Sequence, residues 1–424
     1  MSDLHKAVFA KITGIATEDV RPDEARNGVV HIVSLTLTKT ADALIDPKLV
    51  LSWLLTALAA PGAMVGMLVP VREAGALLPQ LALARRVEAS PERKRFWALG
   101  SAVQGLAALG IAAAALLLSG AWAGGVILIC LSVLAVARSA SSVSYKDALA
   151  RTIAKRRRGA ITGLAASVAS VSVFGVGLMM AMGLFEVAIA PLAAIIVAAG
   201  TSFLLASLIF MILHEPKADA EDTDDDSLSA LVQPILTDAQ LRLFVAARAA
   251  LAVTALAPPF IVMLSSASGR SALDDLGTLV MASTAASVLA SYVWGRLSDR
   301  SSRHTLMAAG ALGSVVFAVV GTLSLTLGGL GGSFGAAVAI FAAQIAYEGV
   351  RAGRKLHLTD MAEDSFRARY TALSNTLIGL VLLAGGLFGL AADRFGPAPV
   401  LLAFAVIAAL GVLLALGLDE VQQD

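Results

Sequence analysis

Predominantly apolar runs of membrane-spanning length recur along this chain, and they constrain its fold more than any other feature. They fall at 29–57, 63–84, 97–118, 122–145, 160–184 and 187–213, then at 240–266, 275–297, 305–327, 334–353, 370–392 and 399–418. A helix that crosses a bilayer needs about 20 apolar residues. The sequence therefore predicts an all-α membrane protein with twelve transmembrane helices. The balance of residue types agrees. Of 424 residues, 58% are apolar and only 15% charged, against roughly 25% charged in an ordinary soluble domain. Mean hydropathy is +0.81. So little charge cannot cover a water-soluble surface. This excludes a cytosolic enzyme, a nucleic-acid-binding protein and a disordered chain.

Residues 1–28 are polar and read as a cytoplasmic tail, without the basic start and adjoining apolar stretch of a signal peptide. Residues 214–239 are acidic and read as a flexible cytoplasmic linker. Residues 419–424 read as a short C-terminal tail. The first run is interrupted at Asp46-Pro47, which predicts one long kinked helix. The lone Cys130 excludes a disulfide framework and reads as a packing residue.

Loop charge gives a direction. Arg85, Arg86, Arg93, Lys94 and Arg95 follow the second run; Arg151 and Lys155 to Arg158 follow the fourth. Arg296, Arg300 and Arg303 follow the eighth, and Arg354, Lys355, Arg367 and Arg369 the tenth. Opposite loops hold only Arg270 and Arg394. Cytoplasmic loops collect Lys and Arg, so both termini and the linker are expected inside a cell membrane. Arg93 and Arg303 stand 210 positions apart and Asp147 and Asp360 stand 213 apart, each close to half the chain. A six-plus-six duplication follows, with bundles at 29–213 and 240–418. Parallel repeats of this kind occur in one class of transporters.

Residues 295–304 read GRLSDRSSRH. This resembles the loop signature of the major facilitator superfamily, with Gly295, Leu297, Ser298, Asp299, Arg300 and Arg303 matching position by position. The equivalent first-half loop, LARRVEASPERKR, keeps the basic residues but has Ala89 where the signature has Asp; Glu88 and Glu92 are possible substitutes. The resemblance covers the whole chain. It implies two six-helix halves that rock about a midplane cavity lined by helices one, four, seven and ten. It also implies a cytoplasmic gate, with a Gly that permits close helix approach, an Asp that accepts from a helix N-terminus and Arg residues that pair across loops. The alternative for Arg300 and Arg303 is plain positive-inside anchoring.

Charges at bilayer depth are costly and usually face a cavity. His31, Leu35, Lys39, Asp42 and Asp46 follow a helical spacing and form one stripe, with Lys39 and Asp42 able to pair. Arg72 and Glu73 are adjacent, so they point about 100° apart. Glu73 reads as a cavity-facing, protonatable group or as half of a fixed pair with Arg72. Gln344, Glu348, Arg351 and Lys355 form a second stripe, with Tyr347 beside it. Arg138 and Arg248 add basic groups to the fourth and seventh runs. Trp53, Trp97 and Trp122 lie near run ends and read as interfacial anchors.

The expected function is secondary active transport of a small organic solute by a monomer in the bilayer. Protons would move through Asp42, Glu73 or Glu348, and no cofactor, metal or nucleic acid takes part. Lys39, Arg72, Arg248 and Arg351 hint at an anionic solute. No GxxxxGK[ST] loop is present. A proton-driven exporter of amphipathic compounds is the alternative, weakened because 160–184 lacks the Gly-Pro signature of drug antiporters. A receptor or intramembrane enzyme is the alternative from another class; no HExxH helix is present.

Overall fold

The computed structural model describes residues 9–10, 22–88, 90–184, 188–216, 228–267, 276–330, 332–362 and 367–422, and among them there is no β-strand. The helices are α1 Pro22–Leu44, α2 Val50–Ala57, α3 Gly62–Leu77, α4 Gln80–Glu88, α5 Arg93–Leu117, α6 Gly120–Thr152, α7 Arg158–Ala181 and α8 Ile189–Phe210. They continue as α9 Leu228–Thr237, α10 Ala239–Leu251, α11 Val253–Ala267, α12 Leu276–Arg300, α13 Ser302–Leu327, α14 Ser333–Met361, α15 Arg367–Gly385, α16 Leu387–Phe395 and α17 Pro397–Leu416.

Nine segments among the described residues are long and apolar enough to cross a membrane. The remaining long helical stretches are α1 with α2, α3 with α4, and α14. These carry Lys39, Asp42, Arg72, Glu73, Glu348 and Arg351. A helix that lines a polar space has less need of an apolar surface all round, and Glu73, Tyr347, Arg351 and Arg354 on these stretches do line a pocket.

The single kinked helix expected over the first run is instead two helices, α1 and α2, with residues 45–49 around Pro47 outside both. Proline cannot donate to the preceding turn and disfavours helix at the residue before it. α1 also begins at Pro22, earlier than the apolar run. Its polar first turns are held from outside the run: Glu24 accepts from Arg157 at 2.7 Å and from the Ala154 amide at 3.1 Å, and Asn27 bonds the His214 backbone. Within the expected flexible linker, α9 is helical and its Ile235 packs on a hydrophobic cluster with Phe244 and Leu241.

Helix pairing repeats along the chain. α5 packs on α6 and α8, as α13 packs on α14 and α17. α1 packs on α8 and α7, as α10 packs on α17 and α15; α3 packs on α6, as α12 packs on α14. The two groups meet through α7 against α12 and through α3 against α15 and α16.

Nearer the Arg-rich loops the groups touch through Asn375 and Gln80, 3.3 Å apart, and backbone approaches between the groups lie at the opposite end. A Cβ on Gly389 would sit 2.8 Å from the Ala63 carbonyl, and one on Gly277 2.5 Å from the Ala181 nitrogen. Only glycine permits such backbone approach. The two groups are thus packed shut at that end.

Two of the three tryptophans read as anchors are core residues. Trp53 and Trp97 are buried, and only Trp122 is exposed. Both buried rings fill helix–helix contacts, where their area contributes more than an interfacial seat. Leu289, Val293, Leu323 and Leu413 are exposed, as lipid-facing side chains must be.

Candidate solute and proton site

The Pro47 break turns α1 away before Asp46, and this decides which members of the first stripe stay together. Asp46 accepts backbone hydrogens from Lys48 at 3.2 Å and Leu49 at 3.1 Å. It caps the entry to α2 rather than continuing the stripe. His31 leaves it too: the ring is buried against Tyr145 and Phe210 and bonds Thr152 Oγ1 at 2.8 Å. Lys39 and Asp42 remain.

Asp42 does not take Lys39 as its partner. Its Oδ1 accepts from both Arg72, on α3, and Arg138, on α6. The buried Arg72 therefore bonds across to α1 and leaves Glu73 to point elsewhere. Three helices are pinned at one carboxylate. Lys39 is exposed, and the charges acting on it are Arg138, Asp42 and Arg351. The first and second helix groups thus face each other across Lys39 and Arg351.

The second stripe forms as its spacing predicts. Gln344 donates to Glu348 at 3.0 Å and to Ser287 at 3.0 Å, and Arg351 pairs with Glu348 at 3.2 Å. Glu73, Tyr347, Arg351, Arg354, Thr254 and Leu382 line a pocket between the two groups. Its free volume is about 10 Å³, room for roughly one water. Glu73 makes no hydrogen bond or ion pair among the described residues. Opposite it stand Arg351 and Arg354.

Arg248 is buried but does not line this pocket. It donates to Ser374 at 2.6 Å and Asn375 at 2.9 Å, and Asn375 reaches Gln80 at 3.3 Å. It ties α10 to α15 and, through Asn375, to α4. Lys48 escaped the sequence reading. Its buried ammonium lies 3.1 Å from the centroid of the Tyr347 ring, joining the two groups by a cation–π contact. The only signal for it was its place directly after the Pro47 break.

No family model and no curated protein matches the sequence. Solved structures match its fold. A nucleoside transporter aligns with a TM-score of 0.71 over 93% of this chain and 100% of that one, at 11% identity. A D-xylose-proton symporter gives 0.69 over 94% and 98%, at 12% identity. The chain shares the fold of these transporters. The xylose transporter from E. coli in an inward open conformation gives 0.66 over 93% and 96%, at 11% identity. A POT family transporter in complex with 5-aminolevulinic acid gives 0.69 over 92% and 95%, at 9% identity.

In this fold the signature loop joins α12 to α13. Asp299 and Arg300 are exposed, Leu297 packs on the cluster of Phe244 and Leu306, and the Arg303 Nε is buried without a hydrogen-bond partner among the described residues. The close approach expected at Gly295 is not made: a Cβ there meets nothing within 4 Å. Nor does Asp299 cap a helix among the described residues.

The helix caps at this end come instead from the segments that follow α8 and α17. Glu215 accepts the Arg93 and Lys94 amides at 3.0 and 2.8 Å, and Arg93 reaches Asp147 at 3.4 Å. Gln422 accepts the Ser302 amide at 2.8 Å and donates to Asp360 at 2.8 Å. Asp147 and Asp360, 213 positions apart, each hold a residue at one of these helix starts, Arg93 and the capping Gln422. Glu92, considered as a substitute for the missing Asp, pairs with Arg95 at 2.6 Å. The Glu88 side chain and Ala89 lie outside the described residues. Beside the second cap, burial pushes the His357 imidazole down to about 4, against the pull of Glu420, Asp360 and Asp419. His357 stacks on Phe244 and bonds Ser302 Oγ at 2.9 Å.

Proposed function

We propose that the chain is a secondary active transporter that moves a small organic solute by alternating access, with protons as the coupling ion. Twelve spanning helices in two six-helix halves, 29–213 and 240–418, rock about the pocket between them. The repeated helix pairing supports this arrangement, and the loop charges support cytoplasmic termini in a cell membrane.

One observation carries the reading. Glu73 of the first helix group and Arg351 and Arg354 of the second line one pocket, and Glu73 bonds neither cation among the described residues. A carboxylate in that setting can take and release a proton as the surrounding charges shift. Glu73 is the proton-carrying group; Glu348 is held by Gln344 and Arg351, and Asp42 by two guanidinium groups. Proton-coupled sugar transport is named for one protein of similar fold, the D-xylose-proton symporter. The small pocket and the close backbone packing at the far end represent one state of the cycle.

The test is a stability screen of purified protein against metabolites, followed by uptake into proteoliposomes with the stabilising compound. Uptake that rises with an imposed pH gradient supports the reading. A stabilising compound that never crosses the bilayer, with or without a gradient, points to a receptor instead.

A further inference from the structure

We propose that the space between the two helix groups binds a small organic anion, its carboxylate or phosphate held by Lys39, Arg138 and Arg351. This rests on the transporter reading and names the class of its solute.

The charges around the space do not cancel. Asp42 alone answers Arg72 and Arg138. Glu348 answers Arg351. The Asp46 carboxylate is taken by backbone amides and the Lys48 ammonium by the Tyr347 ring. Lys39 has no ion pair among the described residues, and two of the three charges acting on it are guanidinium groups. Lys39, Arg72, Arg138 and Arg351 thus stand against Asp42, Glu73 and Glu348, a surplus of one positive charge, with Arg354 following at the cytoplasmic end of α14. At membrane depth such a surplus is costly unless an anion joins it.

The cations that solvent can reach are the ones free to bind. Arg72 is buried behind Asp42, whereas the Arg138 and Arg351 side chains are 40% and 58% exposed. Arg138 and Lys39 belong to the first group and Arg351 to the second, so one anion between them bridges both halves. Glu73 then acts by charge. Protonating it removes a negative charge from the pocket wall that holds Arg351, and this raises the affinity for the anion. By linkage the anion raises the proton affinity of Glu73 equally. Proton and anion therefore travel together.

The experiment places one reporter thiol at Leu35→Cys, in a Cys130→Ser background. Leu35 is half-buried and lies one helical turn before Lys39 on α1. Vesicles of both orientations are treated with impermeant methanethiosulfonates bearing a sulfonate or a trimethylammonium. Rates are normalised to reaction with 2-mercaptoethanol. The expected result is a preference of about tenfold for the sulfonate reagent, falling toward parity in Lys39→Gln. Uncharged methyl methanethiosulfonate reports that the variant still folds and exposes the thiol. Parity in the unmodified charge background, or preference for the cationic reagent, overturns the anion proposal. Reaction from one face only overturns the transporter reading, whatever the charge preference.

Discussion

The carboxylate of Asp393, near the end of α16, accepts the backbone hydrogen of Ala63 in the first turn of α3, 2.8 Å away and 330 positions earlier in the chain. α3 follows Pro61 and has no side-chain cap of its own. Its first amides need acceptors, and a carboxylate there also meets the positive end of the helix dipole. The cap therefore comes from the other helix group and is made only while this end is shut. A capping carboxylate contributes about 1 kcal/mol, so Asp393→Ala should shift the balance toward opening about fivefold. Labelling of Leu35→Cys from the far face should speed up accordingly. An unchanged rate would show that the Gly389–Ala63 and Gly277–Ala181 approaches keep this end closed without the cap.

Asp42 holds two arginines, one buried and one partly exposed. Removing one partner of a buried ion pair leaves an uncompensated charge and costs about 3 kcal/mol. Asp42→Ala should lower the melting temperature in detergent sharply. Adding Arg72→Gln should restore part of the loss, since the stranded charge goes with it. Loss that simply adds across the two substitutions would mean that the pair is not coupled.

Tyr347 meets Lys48 through its ring face. Tyr347→Phe keeps that face and Tyr347→Leu removes it. The leucine variant should lose about 1 to 2 kcal/mol of stability, and the phenylalanine variant much less. Equal losses in thermal unfolding would locate the contribution in the phenolic hydroxyl instead.

His357 is neutral in the folded protein down to about pH 4, while an exposed imidazole titrates near 6.5. Its folded value is depressed, so the unfolded chain binds the extra proton between these values. The stabilising contribution is complete above about pH 6.5 and is lost as pH falls toward 4, about 3 kcal/mol across the window. Melting temperatures at pH 7 and pH 5 should differ less for His357→Gln than for the unsubstituted protein. The same slope in both would assign the pH response to other groups.

The sequence announced the helices because lipid leaves a long apolar signal, and two of the residues it paired by spacing, Asp147 and Asp360, lie beside helix starts that receive outside caps. Of the second stripe, Gln344, Glu348 and Arg351 bond along one face because α14 is unbroken there, while Lys355 is exposed. The first stripe did not survive whole. Helical spacing is blind to the turn at Pro47, which makes Asp46 a cap, and to the aromatic surroundings of His31. Spacing within one helix also cannot choose among partners on others. Arg72 and Arg138 reach Asp42 more closely than Lys39, one turn away, because guanidinium groups from α3 and α6 converge on it. Lys48 on Tyr347 and Asp393 on Ala63 join residues about 300 positions apart or more, and nothing local marks them.

The coupling role of Glu73 is the centre of this account, and one comparison tests it directly. Proteoliposomes carrying the unsubstituted protein or Glu73→Gln are given the stabilising solute under two conditions, exchange at equal pH and net uptake under a pH gradient. The account predicts that Glu73→Gln still exchanges solute but no longer accumulates it with the gradient. Gradient-driven accumulation in Glu73→Gln equal to that of the unsubstituted protein would contradict it.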